Sequence, residues 1–234
     1  HKNLWTYLNP ISRLSQKYFL SSFFFSTLEA KNIDKFEKGN NISDYFSGIL
    51  HLNSNQYDES YKFLKQLDGL EESHINYSSK YLFSLVNLGK FNEAFLYAKK
   101  LEKRNLGNFE SDMIIGIYYL NNEELDLAQK YFLKLKNRKS KFMLNGFISS
   151  SLYTWVSFKD LGLNSAKDQI NKIDSKFENL KKIQNTFLHC FYDSEKTNSF
   201  FENLTSKNTT DFSRYNYFYA KFLSNKNKIE EAKK

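Results

Sequence analysis

Few side chains in this sequence are equipped for covalent or metal chemistry. The 234-residue chain has four histidines, His1, His51, His74 and His189, and one cysteine, Cys190. No two histidines stand at the i, i+4 spacing that would set two metal ligands on one helical face. His189 and Cys190 are adjacent, the residue types of a base and its nucleophile. Consecutive residues on a helix point about 100° apart, so the pair reads as a buried, inert cysteine beside a histidine rather than a dyad. A lone cysteine also excludes an internal disulfide framework and any multi-cysteine metal site. The acid pairs Glu71–Glu72, Glu123–Glu124 and Glu230–Glu231 read as surface or helix-start acids, favoured where the helix dipole is positive. Phosphate-binding, dinucleotide-binding, metalloprotease and nucleophile-elbow motifs do not occur. The expectation is a chain without catalysis, cofactor or small-molecule substrate.

The recurring polar residue is asparagine. Asn53, Asn87 and Asn121 are spaced by 34 residues, and Asn225 aligns with them. Three roles fit that pattern. Asparagine caps helix C-termini because it tolerates left-handed backbone. It can hold the backbone of a bound peptide. It can also read a base, as in helical repeats that bind RNA, but no arginine cluster or stacking platform accompanies it here.

The elements that would carry these residues are repeated helix pairs. SDYFSGILHLNSNQYDESYKFLKQL, YSSKYLFSLVNLGKFNEAFLYAKKL and SDMIIGIYYLNNEELDLAQKYFLKL, from Ser43, Tyr77 and Ser111, align without gaps. Tyr57, Phe91 and Leu125 recur every 34 residues, as do Ser60, Ala94 and Ala128, and Leu67, Leu101 and Leu135. Apolar residues within each unit keep helical spacing, as at Tyr45, Ile49 and Leu52, and at Met113, Ile117 and Leu120. A turn rich in Asn, Gly or Glu follows, and a second amphipathic stretch begins near Asp58, Asn92 or Asp126. The small residues early in that stretch allow close approach of its partner, which a larger side chain would prevent. Later units are less regular. One carries Leu163 and Ala166 after an insertion of about four residues, one places Thr197 at the small position, and one restores the pattern with Ala220, Ile229 and Ala232. A helix pair of this kind buries its apolar faces only by stacking on its neighbours.

With Gly89, Phe91 and Ala94 in the second unit, Gly116, Tyr119, Leu125, Ala128 and Phe132 in the third, and Gly48, Tyr57 and Ser60 in the first, the sequence resembles the tetratricopeptide repeat (TPR) family, whose unit is 34 residues. The family's proline after the second helix is missing from every unit. The resemblance implies an all-α fold, a right-handed superhelical solenoid of antiparallel helix hairpins. Residues 41–234 would hold about five to six pairs, behind an N-terminal helical segment, residues 1–40, that is either a degenerate repeat or signal-like. The resemblance further implies that first helices line a concave groove for an extended peptide or a partner helix. The lining residues would be Tyr45, Ile49, Leu52 and Asn53; Ser79, Phe83, Val86 and Asn87; Met113, Ile117, Leu120 and Asn121; and Ser151, Trp155 and Phe158. TPRs that clamp a C-terminal carboxylate carry Lys, Arg and Asn where this chain has Tyr45, Ser79, Met113, Ile49, Phe83 and Ile117, so no carboxylate clamp is expected. The apolar stripe has two readings, an open groove with Trp155 as its best anchor, or core covered by a tight superhelix or by the N-terminal segment.

Composition adds bounds rather than a partner. The net charge is +8, from 30 Lys and four Arg against 26 acids. Lys, Asn, Ile, Phe and Tyr share AT-rich codons, so the excess reads first as a solvated helix face. Nucleic acid or an anionic membrane on that Lys-rich face is the alternative to a protein partner. No stretch reaches the roughly 18 apolar residues of a spanning helix. Tyr18 to Leu28, YFLSSFFFSTL, is preceded by Arg13 and Lys17 and followed by Ala30. It reads either as a packed aromatic helix or, over residues 13–30, as a secretory signal with a poor cleavage site. Accordingly the location is open between cytoplasmic and exported. The start at HKNLWTY and the stop inside the helical KIEEAKK suggest a fragment of a longer reading frame.

Overall fold

The computed structural model describes residues 39–138, 142–158, 160–206 and 214–233. The expected N-terminal segment therefore lies, but for its last two residues, outside the described residues, and so does the signal-like stretch. Among the described residues there are twelve α-helices, two short 3-10 turns and no strand. The helices form six successive pairs: α1 (Gly39–Asn53) with α2 (Tyr57–Lys65), α3 (Ile75–Asn87) with α4 (Phe91–Lys103), and α5 (Phe109–Asn121) with α6 (Leu125–Asn137). These are followed by α7 (Met143–Ser157) with α8 (Leu163–Asn171), α9 (Glu178–Phe191) with α10 (Thr197–Thr205), and α11 (Arg214–Asn225) with α12 (Ile229–Ala232). Packing runs in sequence order: α1 on α2, α2 on α3, α3 on α4, α4 on α5, then α7 on α8 and onward to α12. The contacts separate into two compact units, residues 1–135 and 136–234. That division falls where the spacing of the small residues lengthens, between Ala128 and Ala166.

One turn is used again and again. After the first helix of a pair the chain takes a left-handed residue at Asn55, Gly89, Glu123, Asp193 and Asn227, with φ of 58°, 72°, 62°, 48° and 60°. The next amide in each case reaches back five residues: Gln56 to the His51 carbonyl (2.8 Å), Lys90 to Leu85 (2.9 Å), Glu124 to Tyr119 (2.9 Å), Ser194 to His189 (3.0 Å) and Lys228 to Leu223 (3.0 Å). The left-handed residue itself donates to Leu52, Val86, Leu120, Cys190 and Ser224. This is the Schellman arrangement, which satisfies carbonyls the helix end would leave unpaired. The left-handed position thus sits two residues beyond Asn53, Asn87 and Asn121, which are the last helical residues rather than the turn itself.

The turn folds the second helix back along the first. Gly48, seven residues before it, lies against Leu64, nine after it, and Gly116 lies in the same way against Phe132. The antiparallel hairpins follow from these contacts. The small residues expected at the close approach are fully buried: Ser60, Ala94, Ala128 and Ala166. Leu64, Leu82, Leu85, Leu101 and Ile115 belong with Ala94 to one core in the first unit. Fully burying a side chain of this size stabilises by about 1.5–3 kcal/mol relative to leaving it in water. Neighbouring pairs are tied by polar links as well. The Tyr77 hydroxyl donates to the Leu64 carbonyl at 2.7 Å, and Asn108, which caps α5 through a reciprocal pair of bonds with Ser111 (2.8 and 2.9 Å), also donates to the Ser79 hydroxyl on α3 at 3.2 Å.

In the second unit Phe158, Ala166, Ile170 and Leu188 make a separate core, and Tyr192 donates to the Phe158 carbonyl at 2.7 Å. Thr197 is fully buried. It opens α10 instead of lying a turn inside it, and its hydroxyl bonds the carbonyls of His189 (2.9 Å) and Ser194 (2.7 Å).

Candidate functional site

Helical spacing puts the expected lining residues on one side of each first helix, but neighbouring helices decide which of them remain accessible. Tyr45, Ile49, Leu52, Met113 and Phe158 are buried, between 1% and 9% exposed. They are core, and the open-groove reading fails for them because adjacent side chains close over them. Tyr45 packs against the His74 ring at 4.6 Å, and burial pushes its hydroxyl pKa up to about 12. Phe158 lies between the rings of Trp155 (4.3 Å) and Phe191 (5.8 Å). Ser151 is buried too.

Phe83, Val86 and Asn87 on α3, and Ile117 and Leu120 on α5, are half-buried, while Asn53 and Asn121 are exposed. Phe83 and Ile117 are separated by one 34-residue repeat, as are Val86 and Leu120, and Asn87 and Asn121. The two helices pack directly on each other, so the first unit carries these side chains on adjacent rods at matching heights. Asn87 donates from Nδ2 to the Phe83 carbonyl at 2.8 Å, a bond that helps close the end of α3. Tyr57, expected as a packing position of the repeat and not as a lining residue, stands edge-on to Phe83 at 6.1 Å. Its place one residue past the turn was the available signal. Ser79 bridges the two first helices, donating to Glu110 and accepting from Asn108, both at 3.2 Å.

Trp155, described within the second unit, is half-buried, and its indole N–H donates to the Gln184 carboxamide oxygen. The polar handle of the expected anchor is therefore already used inside the fold.

Several of the described basic side chains are paired with acids. Lys100 bonds Asp68 and also Glu71 (2.9 Å), and Arg104 bonds Glu71 (3.2 Å) and Glu72 (3.0 Å). One repeat on, Lys134 bonds Asp112 (2.8 Å) and approaches Glu102 (3.5 Å). Glu71 and Asp112 have fully buried side chains, so these cations neutralise acids held away from water. The Lys99–Glu102–Tyr131 cluster between α4 and α6 adds a further link.

The His189–Cys190 pair is not arranged for nucleophilic work. Burial pushes the Cys190 thiol up to about 11, the reverse of what a reactive thiolate needs. His189 sets Nδ1 3.0 Å from the Ser194 hydroxyl and stacks its ring on Phe200 at 4.1 Å. Among the described residues no three His, Cys, Asp or Glu side chains group as metal ligands, and no helix is long and apolar enough to cross a membrane.

No protein-family model and no curated protein matches the chain. The surface on α3 and α5 is accordingly judged by its own geometry: four half-buried apolar side chains and two asparagines, repeated in register across two adjacent helices.

Proposed function

We propose that the chain is an array of TPR-like repeats, wound as a right-handed superhelical solenoid, that acts as a non-catalytic protein-interaction scaffold. Its ligand is a peptide segment or a partner helix lying across the first helices. Phe83, Val86, Ile117 and Leu120 supply apolar contact, and Asn121 is placed to bond the ligand backbone. The observation that carries this reading is the repeated, part-open set on α3 and α5, flanked by residues of the same stripe that are core. A repeated apolar strip of this kind suits an extended or helical partner, which presents side chains at regular intervals. The paired lysines and Arg104 leave the basic-face alternative, nucleic acid or an anionic membrane, without a comparable observation in its favour.

The test is selection of peptides from a displayed random library against the full chain, followed by titration of the selected peptides. A Phe83→Ser/Ile117→Ser double variant should bind at least about tenfold more weakly, equivalent to about 1.4 kcal/mol. A Leu127→Ser/Leu133→Ser variant, altered at exposed positions of α6, should bind normally. Unchanged helical circular dichroism and melting temperature are required of both. Equal binding by all three proteins would sink the reading. A parallel titration with single-stranded RNA and anionic vesicles at low and high salt tests the alternative, since phosphate contacts weaken steeply with salt.

A further inference from the structure

On α3 and α5 the face that meets the preceding second helix is closed; on α1 it is open. On α3 this face is Tyr77, Tyr81 and Ser84, all buried, with Tyr81 stacked on Tyr61 of α2 at 6.1 Å. One repeat later the same positions are Ser111, Ile115 and Tyr118 on α5. Ser111 and Ile115 are fully buried, and Tyr118 stacks on Phe95 of α4 at 3.7 Å. One repeat earlier they are Ser43, Ser47 and Leu50 on α1. There Ser43 is exposed and Ser47 half-buried, Leu50 is 66% exposed, and Phe46, one turn before it, is 52% exposed. An exposed leucine on the face that both later repeats set against a second helix, with an exposed phenylalanine one turn before it, marks a docking face.

The chain itself carries a segment of matching chemistry upstream. Counting back 34 residues from α2 puts Phe23 at the place of Tyr57, Ser26 at the small-residue place of Ser60, Ala94 and Ala128, and Ile33 at that of Leu67, Leu101 and Leu135. The same stretch includes the aromatic run from Tyr18 to Phe25. We propose that residues 18–33 supply the closing turn and, from Phe23, the second helix of a preceding repeat, and that this helix docks on the open face of α1, over Phe46 and Leu50. This is separate from the peptide-binding proposal, because it concerns the edge of α1 that faces the preceding repeat and not the strip on α3 and α5.

Hydrogen exchange followed by mass spectrometry on the full chain tests the assignment, comparing the wild type with Leu50→Asp and with the milder Phe46→Ser/Leu50→Ser. Both sites are more than half exposed on α1, so the amides of α3 to α6 serve as an internal folding control. Residues 18–33 should exchange at least about tenfold more slowly than an unstructured chain, as protected helices do, and either variant should abolish that protection while leaving α3 to α6 unchanged. Free exchange across 18–33 in the wild type, or protection indifferent to both variants, overturns the proposal. So does a wild-type dimer that the variants convert to monomer without altering exchange at 18–33, which would make a second copy the occupant.

Discussion

Gly116 faces the ring of Phe132 so closely that a Cβ on the glycine would stand 2.5 Å from Cε1. Gly48 faces Leu64 in the same way, its Cβ position 2.7 Å from Cδ2. The intervening repeat reverses the sizes, with Leu82 on the first helix and Ala98 on the second, both fully buried. Each hairpin thus fills one crossing volume, and the two helices divide it differently.

Size exchange at that crossing should therefore be tolerated where single changes are not. Gly116→Leu alone should lose about 3 kcal/mol by overpacking, and Phe132→Ala alone about 3–5 kcal/mol through its cavity. The double variant, which copies the Leu82–Ala98 arrangement, should cost about 2 kcal/mol less than their sum. Urea denaturation of the four proteins measures the coupling, and strict additivity would refute the shared volume.

Glu123 is the poorest fit among the left-handed turn residues, since its Cβ meets the backbone carbonyl there while glycine has none and asparagine tolerates the conformation. Glu123→Gly should stabilise by about 1 kcal/mol, and Gly89→Ala should cost a similar amount. Asn55→Gly, by contrast, should move the urea midpoint little. A loss of stability in Glu123→Gly would show that its side chain contributes more than its backbone costs.

Asn108 closes α5 with the reciprocal Ser111 bonds and also reaches Ser79 on α3. Asn108→Ala should cost about 1 kcal/mol, the usual value of a polar N-cap. The lost protection should appear first in the opening turn of α5 by hydrogen exchange. Uniform loss across the unit would instead point to the Ser79 contact as the larger contribution.

His189 sits where its charged form is disfavoured. Burial foremost, then the charges of Lys167 and Lys196, lower its pKa from the ordinary 6.5. The unfolded chain regains that ordinary value, so below it the unfolded state binds the additional proton until the folded pKa is reached. Stability is therefore present above pH 6.5 and falls on acidification through that window. The urea midpoint should drop as the pH is lowered through about 6.5, and less so in His189→Gln. Some slope should persist in that variant, because burial lowers His74 in the same direction. An identical slope in wild type and variant would assign the effect elsewhere.

Periodicity carried much of the architecture. Ser60, Ala94 and Ala128 were legible as close-approach positions because a 34-residue period and a helical one coincide there, Ala166 was legible from the helical pattern after a four-residue insertion, and the second helices begin within one residue of Asp58, Asn92 and Asp126. Accessibility was not legible. Ile49, Phe83 and Ile117 occupy one repeat position, yet the first is buried and the other two half-open, since exposure depends on the volume of side chains contributed by neighbouring helices. The turn was displaced by two residues from its expected asparagines because Asn, Gly and Glu all occur at the left-handed place, so residue type did not mark it. The ion pairs of Lys100 and Lys134 could have been read from their 34-residue spacing together with that of Asp68 and Glu102, but charge spacing alone does not say which repeat supplies the partner.

The links between helices have a consequence for how the protein acquires its structure. Tyr77 to Leu64, Lys100 to Glu71, Lys134 to Asp112 and Tyr192 to Phe158 all close over 34 residues or fewer. Loops that short form quickly, and a chain dominated by them has low contact order, which favours rapid folding. Order can then start in any hairpin and spread to the next. Damage in one hairpin should likewise remain a local event, felt by its two neighbours before it is felt at the far end of the same unit.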